Sequence, residues 1–238
     1  ACDATITVTQ AEKRLLERED PSLRVHVIPN IHEVRRNGKP FSERRGLLFI
    51  GGFLHPPNQD AVPFFAREIF PLVKSEIPDV ILYIVGSDPP AEVKALASRD
   101  VVVTGWVHDV APYFDSCRVL VAPLRYGAGL KGKIGQSMGF GLPTVTTSIG
   151  VEGMEVAHGR EVIIADDPAE FAREVVRLYR DEELWTEISE NSIKYVAENY
   201  EPEVVRSRIR EILSEHRLLS PESPQTGSPS SALERSAS

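Results

Sequence analysis

The sequence predicts an α/β fold, a parallel sheet with helices on both faces, and three observations carry that prediction. Short apolar runs recur at residues 47–50, 80–85, 101–103, 118–122, 144–147 and 161–165, and they read as strands. Segments of helical periodicity separate them, the pattern of a parallel sheet built from strand–helix units. Small residues recur just after successive runs, in Gly51-Gly52-Phe53, Gly86-Ser87-Asp88, Thr104-Gly105-Trp106 and Ser148-Ile149-Gly150. In such sheets ligands bind beyond the carboxyl ends of the strands, so these loops mark one rim as a candidate crevice.

The opening thirty residues read as a separate piece. Residues 5–8 alternate like a strand, Thr9 and Glu12 make a capping box for a helix through Arg18, and residues 24–28 are strand-like before Pro29 and Asn30. A lone strand–helix–strand cannot bury both faces. It either docks on the larger domain after it or is the end of a preceding domain. Residues 31–45 are polar and read as a linker. Residues 46–199 are expected to form the main domain.

Within that domain the clearest helix spans residues 58–76, with Asn58 as its cap and Phe65, Ile69, Leu72 and Val73 on one buried face. Another starts at Asp167, with Pro168 in the first helical position and Glu170 completing a box. Its inward face is Phe171, Val175, Leu178 and Tyr179. A third uses Ile188, Ser192, Tyr195 and Val196. A last helix over residues 200–216 uses Val205, Ile209, Ile212 and Leu213. Residues 217–238, rich in Ser and Pro, are expected to be disordered.

Composition narrows the function classes. The chain of 238 residues is 42% hydrophobic, enough for a real core, and its formal charge of -8 argues against nucleic acid as a partner. Only Cys2 and Cys117 are present, so no disulfide framework is implied and a reducing, cytoplasmic setting is expected. No transmembrane segment or signal peptide is visible. The chain begins without Met and reads as part of a longer protein, whose peripheral association with a membrane is left open.

The organising stretch is residues 123–145, P-L-R-Y-G-A-G-L-K-G-K-I-G-Q-S-M-G-F-G-L-P-T-V. A glycine-rich turn leads there from a buried strand into a helix whose first turn carries Lys131 and Lys133. Glycines allow close backbone approach, and free N–H groups at a helix start favour an anion. A diphosphate fits this chemistry. Arg125 is a third candidate cation, balanced against pairing with an acidic neighbour. Trp106 and Tyr113 read first as packing residues, Asp166 and Asp167 as a paired-carboxylate look-alike, and His55 and His108 have no partners at metal spacing.

The segments LLFIGGF, ILYIVGS, VVVTGWVHDVAPYF and VAPLRYGAGLKGKIGQSMGFGLPTVTTSIGVEGM together resemble the nucleotide-sugar-binding half of a family-4 type, group 1, retaining glycosyltransferase of GT-B architecture. The likeness covers residues 46–216, and residues 1–30 are similar to the end of the family's acceptor-binding domain. It implies a Rossmann-like donor domain that transfers a sugar from a nucleoside diphosphate sugar with retention, in polysaccharide or glycoconjugate synthesis. The acceptor, a glycan, lipid or protein, would be held by the N-terminal domain. No metal and no cofactor beyond the donor is implied. By this likeness Gly51 and Gly52 approach the diphosphate, Gly86, Trp106 and Val107 border the base, and Gly129, Leu130 and Lys131 take the distal phosphate. Lys131, Lys133 and Arg125 would stabilise the leaving diphosphate.

Two departures stand out. The family's paired glutamates fall at Ala128 and Gln136, and its basic pair would fall near Gly52 and Pro57. Gln136 can still bond ribose hydroxyls through its amide. The losses also admit a non-catalytic nucleotide-sugar-binding module, or pseudoenzyme, as the alternative.

Overall fold

The computed structural model describes residues 2–35 and 38–216, so the tail expected to be disordered lies outside the described residues. The chain opens with strand β1 (Thr5–Thr7), helix α1 (Gln10–Glu19) and strand β2 (Val25–Val27). Both halves of the Thr9–Glu12 capping box are present. β1 and β2 pair in parallel as a sheet of their own. Ile6 and Leu15 remain exposed on this unit.

Six further strands form one sheet in the order β5-β4-β3-β6-β7-β8, and every neighbouring pair is parallel. They are β3 (Leu47–Ile50), β4 (Leu82–Val85), β5 (Val101–Gly105), β6 (Val119–Ala122), β7 (Thr144–Thr146) and β8 (Ile163–Ile164). Side chains alternate across a strand. Leu47 and Phe49 of β3 therefore enter one core with Phe65 and Phe171, while Leu48 and Ile50 enter another with Phe114 and Leu142. Helices on both faces cover these cores, as a sheet buried on both sides requires. This is the Rossmann-like α/β architecture that the sequence predicts.

The long helix departs from expectation in an instructive way. It is α2 (Pro56–Phe64), a π-helical turn (Phe65–Ile69) and α3 (Phe70–Glu76) in succession, with Pro63 inside α2. A π turn inserts one residue and rotates the following face by about 100°. Phe70 is therefore buried and Leu72, expected inside, is 43% exposed. The helix starts at Pro56 with His55 as N-cap. Asn58 is thus not the cap; it lies in the first turn, and its side chain reaches the loop after β3 instead.

The smaller helices are α4 (Ala91–Lys94) and α5 (Ala111–Ser116), with α6 (Gly132–Gly139) following β6. Asp167 caps α7 (Pro168–Arg180) by accepting from the N–H groups of Ala169 and Glu170. α8 (Glu182–Asn199) and α9 (Pro202–Glu215) are the last elements among the described residues. Among the described residues no helix is long and apolar enough to cross a membrane.

Residues 31–45 hold only a 3-10 turn, Phe41–Glu43, among the described residues, yet the segment is fastened along its length. His32 N donates to Tyr200 O at 3.0 Å and Arg35 N to Gly139 O at 2.8 Å. Arg44 is 1% exposed. Its guanidinium donates to Lys39 O at 2.6 Å, Phe114 O at 2.6 Å and Cys117 O at 3.3 Å. A buried cation is tolerated only with such partners. Cys117 is a buried free thiol, pushed up to about 12 by its burial.

Candidate functional site

The strand order reverses direction between β3 and β6, since the chain runs outward to β5 on one side and resumes with β6 on the other. That is the switch point at which open α/β sheets leave a crevice. The loop after β3, at Gly51 and Gly52, and the loop after β6, residues 123–131, face each other across it.

Lys133 of α6 occupies this crevice. Its ammonium lies 4.3 Å from the centre of the Phe49 ring and donates to Asn58 Oδ1. Asn58 in turn donates to Gly52 O at 2.7 Å, so one amide ties the lysine to the loop after β3. A Cβ on Gly51 would sit 2.9 Å from Lys133 Nζ and 2.7 Å from Asn58 Nδ2. Glycine at this position is what admits both groups. Burial pulls the Lys133 ammonium down to about 7, because the charged form is poorly solvated there.

Lys131 is arranged differently. Its side chain is 7% exposed, with Nζ 3.5 Å from a Glu152 carboxylate oxygen, and it donates to Gly127 O at 3.0 Å. Both lysines line a cavity of about 120 Å3 with His55, Pro57, Asn58 and Leu124. Among the described residues, no backbone N–H from Tyr126 to Lys131 donates to a protein acceptor. Gly127 at φ +135° and Gly129 at φ +72° give the loop a course that other residues resist. Lys131 is the N-cap of α6 and makes no side-chain cap, so the helix start adds its own donors and positive dipole end. Two ammonium groups and a run of amides without protein acceptors border this cavity, an arrangement suited to phosphate oxygens.

The other rim residues frame this centre. A Cβ on Gly86 would lie 2.0 Å from Gly51 O, so the loops after β3 and β4 pack backbone to backbone. Trp106 follows β5 and is 70% exposed, its ring edge-on to His108 at 6.2 Å. Val107 is half-buried against the Phe114 core. Tyr113 packs on Tyr83 at 6.0 Å. Leu130 packs with Ile134 and Met138. Gln136 is half-buried on α6, one turn beyond Lys133 and on the same face. Ala128 is exposed on the loop.

Arg125 stands apart from the lysines. Its guanidinium pairs with both carboxylate oxygens of Asp60 and lies 4.4 Å from the centre of the Phe64 ring. Of the two neighbouring aspartates, Asp167 is the α7 cap. Asp166 accepts from Ser148 N at 2.8 Å and Ser148 Oγ at 2.7 Å, which fixes the loop after β7. Phe49 and Asn58 are the site residues that sequence reasoning missed. Phe49 sits inside an apolar strand and carries no sign of a polar partner, and Asn58 resembles a cap.

A family model described as glycosyl transferases group 1 matches residues 44–181, more than half of the chain. A curated Klebsiella pneumoniae relative, an uncharacterized 44.6 kDa protein in the cps region, is 27% identical over 172 residues, covering 68% of this chain and 44% of the relative. TarM shares 15% identity at a TM-score of 0.73, with 90% of this chain and 43% of TarM covered. Anabaena HepE, solved with UDP and glucose, gives 15% identity and a TM-score of 0.69, covering 90% of this chain and 64% of HepE. Sucrose-phosphate synthase from Thermosynechococcus elongatus gives 17% identity and a TM-score of 0.67, covering 92% and 60%. The chain therefore spans less than half the length of TarM and of the Klebsiella relative. Strand order, the loop after β6 and the match over residues 44–181 agree: the chain belongs to the group 1 glycosyltransferases and has the Rossmann-like fold of their GT-B relatives.

Proposed function

We propose that this chain is the donor-binding half of a retaining glycosyltransferase, which moves a sugar from a nucleoside diphosphate sugar to an acceptor held by a further domain. The observation that carries the reading is the meeting of Lys131, Lys133 and the free amides of residues 126–131 at the switch point. In the reaction the bond from the anomeric carbon to the distal phosphate oxygen breaks, and negative charge grows on that oxygen. Fixed donors and cations there stabilise the leaving group without reorganising. Gly129, Leu130 and Lys131 take the distal phosphate through their N–H groups, Gly51 and Gly52 border the diphosphate, and Gly86, Trp106 and Val107 flank the base. Gln136 bonds the ribose hydroxyls. Arg125 joins the leaving group by exchanging Asp60 for phosphate. The positive groups present do the work that a divalent cation performs in other transferases, so no metal or added cofactor is assigned to the step.

Residues 1–30 are read as the end of the acceptor domain, residues 31–45 as the linker, residues 46–199 as the donor domain and residues 200–216 as the closing helix. UDP is the first nucleotide to test, because HepE was solved with it. The cps region in the name of the Klebsiella relative fits a role in polysaccharide or glycoconjugate synthesis. The experiment is calorimetric titration with UDP, GDP and ADP, on this chain and on a Lys131→Ala, Lys133→Ala double variant. Binding of one nucleotide that the double variant loses supports the reading. Ala128 and Gln136, in place of two family carboxylates, favour a second reading, a nucleotide-sugar-binding module without transfer. Sugar transfer by the full-length parent excludes it.

A further inference from the structure

Far from the crevice in sequence, β2 and the end of α9 bring together three metal-ligating side chains. His26 Nε2 and His216 Nε2 are 3.0 Å apart, their rings nearly perpendicular at 85°. A Glu215 carboxylate oxygen lies within 4.8 Å of both. We propose that His26, Glu215 and His216 bind a divalent transition-metal ion of zinc type, and that the ion clasps the N-terminal strand–helix–strand to the last helix.

The chemistry of the set supports this choice. Two neutral imidazoles and one carboxylate are borderline-soft and hard donors in the ratio that zinc accepts, with a fourth position left for water. Zinc–imidazole bonds of about 2.0–2.1 Å at a tetrahedral angle hold two nitrogens roughly 3.3 Å apart, so the observed pair needs to open by only about 0.3 Å. At 3.0 Å the two nitrogens are within hydrogen-bond distance, and the ion would replace the proton that the rings share. The location favours a cation as well. His216 is the C-cap of a 14-residue helix whose last turn carries no basic residue, so the negative end of the helix dipole is uncompensated there. Glu211 stands one turn before Glu215, and the basic residues that border the adjoining grooves are Arg24, beside Glu215 and His216, and Lys13 and Arg208, beside His26. Glu215 and His216 also border an open groove with Asp3, Ser22 and Arg24, which gives an ion and its water a path in. None of the three ligands lines the crevice that holds Lys131 and Lys133, so the ion is structural and takes no part in sugar transfer.

Its effect follows from topology. His26 and His216 are 190 positions apart, and an ion that binds only the folded arrangement raises the stability of the whole chain.

The test uses this chain, stripped of metal by chelation, titrated with zinc chloride by calorimetry and with cobalt(II) chloride by visible absorption. Expected are a single equivalent bound, cobalt bands of four-coordinate type, and a Tm that rises with zinc concentration. His26→Ala and His216→Ala should each abolish the saturable phase. Glu215→Gln, at an exposed helix end where folding is not at stake, should weaken zinc binding at least about tenfold. No saturable binding overturns the proposal, and so does binding that survives all three substitutions. Far-UV circular dichroism identifies any histidine variant that fails to fold, and the Glu215→Gln result then decides alone.

Discussion

The Lys133 ammonium lies 4.3 Å from the centre of the Phe49 ring, a charged group seated on an apolar strand at the switch point of the sheet. Burial lowers it from an ordinary 10.5 to about 7. Between those values the unfolded chain holds the proton and the folded chain does not. Stability therefore rises with pH from about 7 to 10.5 and is lowest, and flat with respect to this group, below 7. On the proposed reading a diphosphate beside Lys133 would favour the charged form, so nucleotide binding above pH 7 should take up a proton. UDP affinity should fall on the order of tenfold between pH 7 and pH 8.5. Calorimetry in buffers of different ionisation enthalpy reads the proton directly, and equal heats in all buffers would contradict the coupling.

Replacing that lysine should separate stability from function. Lys133→Met keeps the stem on Phe49 and removes the poorly solvated charge, so the variant should gain about 1–3 kcal/mol at pH 7. The same change should cut nucleotide affinity at least about tenfold, through loss of a charge-assisted contact. Thermal melts and titrations on one preparation give both numbers. A variant that is both less stable and equally tight would show that the ammonium serves the fold.

The contact of Gly86 with the Gly51 carbonyl makes a sharp stability prediction. A Cβ there would sit 2.0 Å from that oxygen, and a backbone atom cannot rotate away. Gly86→Ala should therefore cost about 2 kcal/mol or more, in line with overpacking of a rigid site. Since the displaced atoms belong to the loop after β3, nucleotide affinity should drop with it. Denaturant unfolding measures the first effect, and a change of midpoint equivalent to less than about 0.5 kcal/mol would mean that the two loops part freely.

Most of the sheet is legible in the sequence, because strands buried on both faces are written as apolar runs and little else produces six of them in alternation with helices. The rim is legible too, since glycine after a strand records close backbone approach. What escapes depends on contacts between distant segments. Leu72 comes after a π turn that no periodicity announces, so its pattern points to the wrong face. Asn58 carries the residue type of a cap but holds Lys133, a relationship across 75 positions. Arg44 sits in a polar stretch and is buried only because Lys39, Phe114 and Cys117 supply carbonyls. The His26–His216 pair joins residues from opposite ends of the chain, beyond the reach of any spacing rule.

Arg125 provides a test of how the site closes. It pairs with Asp60 at the surface, where such a pair contributes about 1 kcal/mol or less. Arg125→Ala should leave the melting temperature nearly unchanged. If the guanidinium moves to the leaving diphosphate during reaction, kcat of the full-length enzyme should fall at least about tenfold, the range seen when one donor to a developing charge is removed. Unchanged turnover would confine Arg125 to its pair with Asp60.

The family resemblance implies that Gln136 stands where relatives carry a glutamate, and on that reading Gln136→Glu restores a carboxylate. A charged acceptor strengthens a hydrogen bond to a hydroxyl by on the order of 1 kcal/mol, which corresponds to about fivefold tighter UDP binding. The same carboxylate would stand one helical turn from Lys133 and favour its charged form, so tighter binding alone does not identify the contact. A nucleotide lacking the ribose 2′-hydroxyl separates the two causes. If the gain disappears with the deoxy nucleotide, Gln136 faces the ribose. If the gain persists with the deoxy nucleotide and vanishes in a Lys133→Met background, the carboxylate acts through the lysine, and the ribose assignment of Gln136 is wrong.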